Sequence, residues 1–367
     1  MRMRAAVLYA YNEPPKIEEI EIREPHADEV LVQIAASGVC HSDLHRVTGD
    51  IPTPFPVVLG HEAAGVVERV GERVSRVKPG DRVVLSWAPF CEECYYCLRH
   101  QPAQCNKFWE LGGKGTLFDG TIHLHKGEQD INHCCFVSSF AEYTVVPETS
   151  CVRISEDVDF DKASLLGCAV TTGAGAAINT AKVEPGSTVA VIGCGGVGLS
   201  VIQGATICGA ARIIAVDLAD TPLALARELG ATDTVNGKEV DAVEAVLDLT
   251  GGHGVDYSFE AIGLPEPMAQ AYAMARRRGM VVVVGVGPGG AKLEVPADKI
   301  AETEKILTGS YYGSAFPQTF IPRLIDLYLS GKLQLDKLAT RQYRLEDTAQ
   351  ALEDLRHDNA GRGVILM

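Results

Sequence analysis

Four cysteines stand close together in the stretch CEECYYCLRHQPAQC, residues 91–105. They are separated by two, two and seven residues and are Cys91, Cys94, Cys97 and Cys105. Four thiolates in so short a segment can close a tetrahedral shell around Zn²⁺, as in structural zinc sites. Four cysteines can also hold an iron–sulfur cluster or form disulfides. The spacing alone leaves zinc and iron–sulfur open, and a compartment that keeps thiols reduced would disfavour disulfides.

Three further motifs carry side chains that could bind a metal or move protons, but they are far apart in the chain. They are GVCHSDLH at 38–45, LGHEAAG at 59–65 and LLGCAVTTGAGAA at 165–177. Their metal-ligating candidates are Cys40, His61 and Cys168. Taken singly, a buried cysteine is usually a small apolar residue, and a lone histidine in a β-rich region is usually structural. Spacing alone therefore leaves both a ligand and a packing interpretation open for each residue.

A glycine-rich motif, GCGGVG at 193–198, has the spacing of a dinucleotide-binding loop through Gly193, Gly195 and Gly198. It follows an apolar predicted strand and opens a segment with helical spacing, as such a loop requires. The three glycines permit a tight turn, approach of a pyrophosphate, and close helix–strand packing, respectively. Asp217 ends the next predicted strand, where a carboxylate accepts hydrogen bonds from a ribose 2′-OH and repels a 2′-phosphate. The pattern therefore predicts NAD rather than NADP.

The elements that must position these residues divide the chain into two kinds of region. Up to about residue 170, short Val-rich runs alternate with Gly and Pro turns, which predicts a β-rich, barrel-like unit. From about 170 to 312, apolar strands alternate with helices, which predicts a doubly wound parallel sheet of the α/β class. Within it we predict a helix over 221–231 with Asp220 as its N-cap. The tail adds an amphipathic helix, PRLIDLYLSGKL, and a final strand, GRGVILM.

Composition limits the partners and the location of the protein. The net charge of -15 argues against nucleic acid and anionic membranes as main partners, because both require concentrated Lys and Arg. No segment reaches the roughly 18 apolar residues of a membrane-spanning helix. The N-terminal MRMRAAVLYA lacks the apolar core of a signal peptide. We therefore expect a cytoplasmic protein whose 11 cysteines stay reduced.

In their order and mutual spacing, these motifs resemble those of the zinc-dependent medium-chain alcohol dehydrogenases, and the resemblance runs along the whole chain. The long segment after the cysteines, about 106–139, is similar to that of the class-I/III-like members. The resemblance implies a β-rich GroES-like catalytic domain formed by 1–169 and 313–367, and a Rossmann NAD-binding domain formed by 170–312. It also implies an enzyme that transfers a hydride between an alcohol and NAD, giving an aldehyde or ketone.

The resemblance assigns roles to the candidate metal ligands. Cys40, His61 and Cys168 match the three ligands of a catalytic zinc with an open fourth position, and the four-cysteine stretch matches a structural zinc. Two zinc ions per chain are therefore expected. Asp43 would accept the other ring N–H of His61, and Glu62 would lie near the catalytic metal.

The resemblance also implies cofactor, proton-relay and substrate residues. Ser42 and His45 match a relay that carries the alcohol proton to water. The cofactor residues would be His41 and Arg362 on the pyrophosphate, Asp217 on the ribose, and the loop residues Gly193, Gly195, Gly196, Val197 and Gly198. Trp87, Cys134 and Cys135 match the substrate pocket, and the small cysteines favour primary alcohols of medium or aromatic size. A homo-oligomer, preferably a dimer but with a tetramer possible, is implied as well.

Two positions depart from the family pattern, and alternative functions stay open. Pro222 and Leu264 stand where many relatives carry cationic residues near the adenosine end of the cofactor. One alternative is a thiol-adduct formaldehyde dehydrogenase, for which Lys107 is the candidate cation. Another is an enzyme that retains bound NAD(H) between turnovers. A zinc-stabilised NAD-binding scaffold without turnover is disfavoured because all three catalytic ligand types are present. Nucleic-acid binding through the four-cysteine stretch is disfavoured because that stretch lacks a basic patch.

Overall fold

The computed structural model describes residues 1–287, 289–357 and 360–367. In chain order its strands are β1 (Arg2–Leu8), β2 (Lys16–Ile22), β3 (Glu29–Gly38), β4 (Val57–Val58), β5 (Glu62–Val70), β6 (Arg82–Leu85), β7 (Leu124–Lys126), β8 (Gln129–His133), β9 (Tyr143–Pro147), β10 (Cys151–Arg153), β11 (Thr188–Ile192), β12 (Arg212–Asp217), β13 (Asp233–Asn236), β14 (Val255–Glu260), β15 (Ala275–Val283), β16 (Ile306–Gly309), β17 (Ala339–Arg344) and β18 (Arg362–Leu366).

The α-helices lie mostly in the second half of the chain. They are α1 (His41–Thr48), α2 (Asn106–Leu111), α3 (Phe160–Leu165), α4 (Ala169–Gly175), α5 (Gly196–Ile207), α6 (Asp220–Glu228), α7 (Ala242–Leu249), α8 (Pro265–Met274), α9 (Ala297–Thr303), α10 (Pro317–Leu329), α11 (Leu335–Leu338) and α12 (Thr348–His357). A π-helical segment, Ala176–Ala181, continues α4. None of the helices described is long and apolar enough to cross a membrane.

The β-rich half contains a closed barrel and a larger sheet. The barrel has the strand order β1-β2-β7-β8-β4, and the sheet has the order β10-β6-β5-β3-β18-β17, with β9 also pairing with β3. The C-terminal strands β17 and β18 thus join a sheet built from the N-terminal part of the chain. This pairing is compatible with the predicted grouping of 313–367 with 1–169, but the domain boundaries stay a prediction.

The second half contains a six-stranded sheet of order β13-β12-β11-β14-β15-β16 with every neighbouring pair parallel. This is the strand order of a Rossmann sheet. Alternate residues of β11 enter two different apolar clusters: Val189 and Val191 join one with α5, and Ala190 and Ile192 join another with α7 and α8. Strands that are apolar on both faces therefore carry helices on both faces, and the predicted doubly wound sheet is confirmed.

Three strand ends converge where the dispersed motifs meet. β3 runs antiparallel to β5 and to β18, so that Gly38 lies opposite both Glu62 and Val364. The last residue of β3 and the first residues of β5 and β18 are therefore neighbours. A Cβ at position 38 would lie 2.5 Å from Glu62 Oε2, so only glycine leaves room for that carboxylate. Cys40 follows β3 by two residues.

Two predicted helix boundaries differ from the structure. The helix α6 begins at Asp220 and Ala219 is its N-cap, so the N-cap prediction for Asp220 is wrong. Asp220 instead accepts a hydrogen bond from Asn236 Nδ2 at 2.8 Å, which leaves the first turn without a side-chain cap. The tail helix α10 begins five residues before the predicted segment 322–333, because Pro317 is well suited to the first helical position, and it ends at Leu329, four residues before the end of that segment.

Candidate active site

Four potential ligands from three distant segments meet in one buried cluster. One ligand atom each from Cys40, His61, Glu62 and Cys168 lies within 4.8 Å of the others, and all four residues are buried. We call this group the metal pocket. The structure therefore brings together the two cysteines and the histidine that spacing alone left ambiguous. Their role as metal ligands stays a prediction.

Asp43 orients both His61 and Cys40. Its Oδ1 lies 3.1 Å from His61 Nδ1 and accepts the Gly60 N–H at 3.1 Å, while Oδ2 accepts the Cys40 N–H at 3.2 Å. Asp43 is fully buried on α1, so these contacts are shielded from water. A carboxylate at Nδ1 leaves Nε2 of His61 as the nitrogen with a free lone pair, which is the tautomer a metal ligand requires.

Arg362 and Glu62 form a buried ion pair beside the pocket. Arg362 Nη2 lies 3.1 Å from Glu62 Oε1, and the side chains are 4% and 0% exposed. The same nitrogen donates to Cys40 Sγ at 3.5 Å. Burial raises the pKa of Glu62 to about 7, although the Arg362 charge opposes the shift. A hydrogen bond from Cys168 and the Arg362 charge hold the pKa of Cys40 well below its usual range.

The pocket has the donor chemistry of a zinc site. Two thiols, an imidazole and a carboxylate face one another, and neither oxygen of Glu62 receives a hydrogen bond from the part of the chain that the structure describes. A buried carboxylate without hydrogen-bond donors is costly, and a metal ion would add to the charge of Arg362 in satisfying it. Thiolate and imidazole ligands suit Zn²⁺, and three such ligands leave a coordination position for substrate.

The four-cysteine stretch fits a second, closed site. Cys94 Sγ and Cys97 Sγ are 3.5 Å apart, and Cys91 Sγ and Cys97 Sγ are 4.0 Å apart. Tetrahedral zinc with Zn–S bonds of about 2.3 Å implies sulfur separations of about 3.8 Å. A disulfide would bring sulfurs to about 2 Å, and all the cysteines are free. Against the effect of burial, N–H groups of Cys97 and Asn106 lower the pKa of Cys94 to about 6, while burial and the Cys94 hydrogen bond raise the pKa of Cys97, so one thiolate of this pair is favoured.

The glycine-rich loop has the predicted shape. Gly193 has a φ of +91°, which favours glycine, and a Cβ at Gly198 would lie 1.7 Å from the Gly193 carbonyl oxygen. Gly195 has open space where its Cβ would be, so a phosphate can approach the backbone. Val197 lies within the first turn of α5, which begins at Gly196. The three glycines therefore have the roles that their spacing predicts: a tight turn at Gly193, phosphate access at Gly195 and close packing at Gly198.

Arg362 connects this loop to the metal pocket. A Cβ at Gly196 would lie 2.2 Å from Arg362 Nε, and Gly195 pairs with Gly361 in an isolated parallel bridge. Arg362 Nε is buried and has no acceptor among the described residues. A cationic N–H against the start of α5 is a suitable partner for a pyrophosphate. The structure thus places Arg362 between the loop and Glu62, whereas sequence reasoning assigned it only to the pyrophosphate.

Asp217 ends β12 beside the glycine-rich loop and is held by backbone groups. Its Oδ2 accepts the Cys194 N–H at 2.7 Å, and Oδ1 accepts the N–H groups of Leu218 at 2.7 Å and Ala219 at 3.1 Å. The two departures from the family pattern lie nearby in the chain: Pro222 is buried in α6, and Leu264 is 48% exposed at the N-cap of α8.

The helix α1 carries the candidate relay and pyrophosphate residues. Ser42 and His45 are three residues apart and hence share a face of the helix. His45 Nδ1 lies 3.0 Å from Asp50 Oδ2, and its side chain is 38% exposed, so it reaches water. Partial burial lowers the pKa of His41, whose ring centroid lies 6.3 Å from that of His45.

The predicted substrate-pocket residues belong to two side-chain groups. Trp87 packs edge-on against Tyr312 and Tyr311, with ring centroids at 4.7 and 5.3 Å. Cys134 Sγ and Cys135 Sγ are 3.8 Å apart. Their role as a substrate pocket stays a prediction.

Arg46 is a candidate functional residue that sequence reasoning missed. Its Nη2 donates to Cys135 Sγ at 3.3 Å, and its Nε is buried without an acceptor. A hydrogen bond from Cys134 and the Arg46 charge lower the pKa of Cys135 to about 5, against the effect of burial. Arg46 directly follows His45 in the helix. Its position as a cation between the buried residues Leu44 and Val47 could have indicated a functional role from the sequence.

A parallel dinucleotide-type sheet beside a buried Cys₂His pocket defines a zinc-binding dehydrogenase, and comparisons with known proteins agree. Residues 26–156 match the family described as alcohol dehydrogenase GroES-like domain, and residues 196–330 match zinc-binding dehydrogenase. The chain belongs to the zinc-dependent medium-chain alcohol dehydrogenase family and is an oxidoreductase. The predictions of family, fold class and enzyme class are therefore confirmed.

Several relatives match along their full length. An S-(hydroxymethyl)glutathione dehydrogenase of Komagataella pastoris is 39% identical, covering 100% of this chain and 98% of its own. Among solved structures, an alcohol dehydrogenase zinc-binding domain protein from Burkholderia ambifaria is 39% identical with a TM-score of 0.95, covering 100% of this chain and 99% of its own. A benzyl alcohol dehydrogenase from Acinetobacter calcoaceticus is 35% identical with a TM-score of 0.95 and the same coverage.

Proposed function

We propose that the protein is an NAD-linked alcohol dehydrogenase that interconverts primary alcohols of medium or aromatic size and their aldehydes, with two zinc ions per chain. The observation that carries the proposal is the contact of Arg362 with both the metal pocket and the start of α5. Through it, a metal-binding site and a dinucleotide-binding loop become neighbours. Hydride transfer requires that arrangement, because the substrate carbon and the nicotinamide must meet.

The chain's own residues support this chemistry in separate ways. A zinc ion held by Cys40, His61 and Cys168 would act as a Lewis acid on the alcohol oxygen, while NAD would accept the hydride. Asp43 holds His61 in the required tautomer. The candidate relay begins at the Ser42 hydroxyl and ends at His45, whose exposed ring can release the proton to water.

The benzyl alcohol relative supports an aromatic substrate, and the glutathione-linked relative supports a second candidate, an S-hydroxymethyl thiol. Arg46 supplies a half-buried cation near the cysteines of the predicted substrate pocket, which would suit an anionic thiol adduct. Lys107, the cation that sequence reasoning considered, lies 4.7 Å from the Phe118 ring centroid. Both aromatic alcohols and S-hydroxymethyl thiol adducts should therefore be tested as substrates.

An alcohol panel tests the proposal. With zinc-loaded enzyme and NAD, we expect kcat/KM for benzyl alcohol and hexanol to exceed that for ethanol by at least about tenfold, because each buried CH₂ is worth about 0.8 kcal/mol. Formaldehyde oxidation that depends on added glutathione would instead establish the thiol-adduct activity. NAD(H) released when the purified protein is denatured would identify a retained cofactor. No NAD reduction with any of these substrates would refute the proposal.

Asp217 tests the cofactor preference. We expect Asp217→Ser to raise the NADP-to-NAD ratio of kcat/KM roughly 100-fold, because removing a carboxylate from the 2′-phosphate position relieves several kcal/mol of like-charge repulsion. Asp220→Ser, three residues further on and bonded to Asn236, is the matched control and should leave the ratio unchanged. Equal ratios for wild type and Asp217→Ser would contradict the role assigned to this carboxylate.

We also propose a homo-oligomer, with a dimer preferred and a tetramer possible. The edge strand β16 of the Rossmann sheet exposes Ile306 by 50% and Leu307 by 44%, and such an edge favours pairing with another copy. Sedimentation equilibrium that returned a monomer would contradict it. The cytoplasmic location stays a prediction.

A further inference from the structure

A third group of metal-ligating side chains lies outside the metal pocket and the cysteine stretch. One ligand atom each from His26, Glu29 and His123 lies within 4.8 Å of the others. We call this group the two-histidine cluster. Glu29 and His123 are 4% and 1% exposed, whereas the side chain of His26 is 54% exposed and opens the cluster to solvent. Because His26 is exposed, an ion from solution can reach the two buried ligands, Glu29 and His123.

The cluster is distant from the proposed active site. Glu29 is the first residue of β3, and Cys40 follows the last residue of the same strand. A strand of ten residues is on the order of 30 Å long. An ion in the two-histidine cluster could not contact a substrate in the metal pocket.

The polar atoms of the cluster are close together but poorly satisfied. His123 Nε2 lies 3.0 Å from Glu29 Oε2, yet neither ring nitrogen of His123 makes a hydrogen bond of acceptable geometry. Among the described residues, Glu29 Oε1 is also buried without a donor, and Oε2 accepts only the backbone N–H of His26 at 2.8 Å. Buried polar groups are normally hydrogen-bonded, so the ring nitrogens of His123 and the Glu29 Oε1 atom lack the partners that such groups usually have. A cation between the imidazoles and the carboxylate would satisfy these atoms.

Neighbouring groups hold the ligands in place. His26 Nδ1 lies 2.8 Å from Asp119 Oδ2, and Asp119 Oδ1 accepts the Thr121 N–H at 2.9 Å. The same Nδ1 lies 3.9 Å from Glu29 Oε2, so it faces both carboxylates, and Asp119 is a potential fourth ligand. The backbone N–H of His123 donates to Nε2 of His133 at 3.2 Å, which fixes the segment that carries His123.

We propose that His26, Glu29 and His123 bind a third divalent transition-metal ion, of which Zn²⁺ is the best suited. Two imidazoles and one carboxylate form a recognised zinc ligand set, with a fourth position open to solvent or to Asp119. The ion would join the β2–β3 turn to the segment before β7, which is about a hundred residues away in the chain. It would therefore stabilise the barrel by cross-linking these two segments, independently of the proposed activity.

Cobalt provides the probe, because its uptake can be counted separately from the zinc already bound. Full-length enzyme is first dialysed until it retains two zinc ions per chain, so that the two-histidine cluster is empty; it is then equilibrated with Co²⁺, and both metals are measured per chain. We expect wild type to keep its zinc, to bind one added Co²⁺ and to unfold at a higher temperature. His26→Gln and His123→Gln should each bind that Co²⁺ at least tenfold more weakly and lose the thermal shift.

His125→Gln is the matched control. His125 lies two residues beyond His123, and its Nε2 is 3.0 Å from Glu21 Oε2, outside the cluster. It should bind Co²⁺ as wild type does. If His123→Gln fails to fold, the exposed His26 still decides the question. The proposal is overturned if wild type binds no added Co²⁺, or if His26→Gln binds it as tightly as wild type, in which case the cluster is an ion pair of protonated imidazole with Glu29.

Discussion

Replacing Cys168 with alanine is expected to reduce kcat/KM for the best alcohol at least about 1000-fold while the protein keeps one zinc ion per chain. Cys168 is buried at the N-cap of α4, and its thiol contacts Cys40 within the metal pocket. Its loss leaves one thiolate and one imidazole, which is an incomplete set for a catalytic zinc. A metal ion contributes several kcal/mol to transition-state stabilisation, and each 1.36 kcal/mol is a factor of ten in rate.

Cys91→Ala is the matched control, because it removes a thiolate from the other site. We expect it also to lose one zinc ion, but to lower the thermal unfolding temperature and to leave kcat of the folded, zinc-containing fraction near wild type. Zinc analysis and kinetics on the same preparations separate the two cases. Full activity in Cys168→Ala, or loss of activity without loss of zinc, would contradict the assignment of the metal pocket.

Replacing Arg362 with methionine is expected to destabilise the zinc-loaded enzyme by about 3–5 kcal/mol, because it leaves a buried carboxylate without its cation. Glu62 is fully buried, and methionine keeps much of the arginine volume, so the effect is mainly electrostatic. The Michaelis constant for NAD should rise as well, since Arg362 Nε lies against Gly196. Denaturant unfolding and steady-state kinetics measure the two effects.

The double variant Arg362→Met with Glu62→Gln separates these effects. Removing both charges should restore most of the lost stability but not the affinity for NAD, because the cationic N–H at α5 stays absent. Arg73→Met is the control: Arg73 and its partner Asp28 have side chains 64% and 63% exposed, and exposed pairs are worth at most about 1 kcal/mol. A double variant as unstable as Arg362→Met would show that the ion pair is not the cause.

The local motifs were predictable because their physics is local. The turn at Gly193 and the packing at Gly198 depend on residues within one strand–loop–helix unit. The four cysteines of the 91–105 stretch are near enough in the chain to reach one ion. Asp217 was predictable because it ends an apolar strand, the second strand of the parallel sheet in chain order. Each of these features is encoded in a short stretch of sequence.

The contacts that join the halves of the molecule were not predictable in this way. Arg362 and Glu62 are 300 positions apart, and they meet only because β18 and β5 both pair with β3. Arg46 was missed because its position beside Cys135 depends on how α1 packs. The two-histidine cluster was missed for the same reason, since His26 and His123 belong to no common motif.

The sequence by itself determined the fold class, the dinucleotide loop and the membership of the zinc-dependent alcohol dehydrogenase family. The periodicity of apolar residues, the spacing of glycines and the clustering of cysteines are properties of neighbouring residues, so they can be recognised in the sequence alone. The resemblance had already grouped Cys40, His61 and Cys168 as ligands of one metal ion, but only the tertiary structure decided that Arg362 lies against both Glu62 and the glycine-rich loop. That outcome depends on strand order and register, which bring Cys40, His61 and Cys168 together from three separate segments and place Arg362 between the metal pocket and the glycine-rich loop.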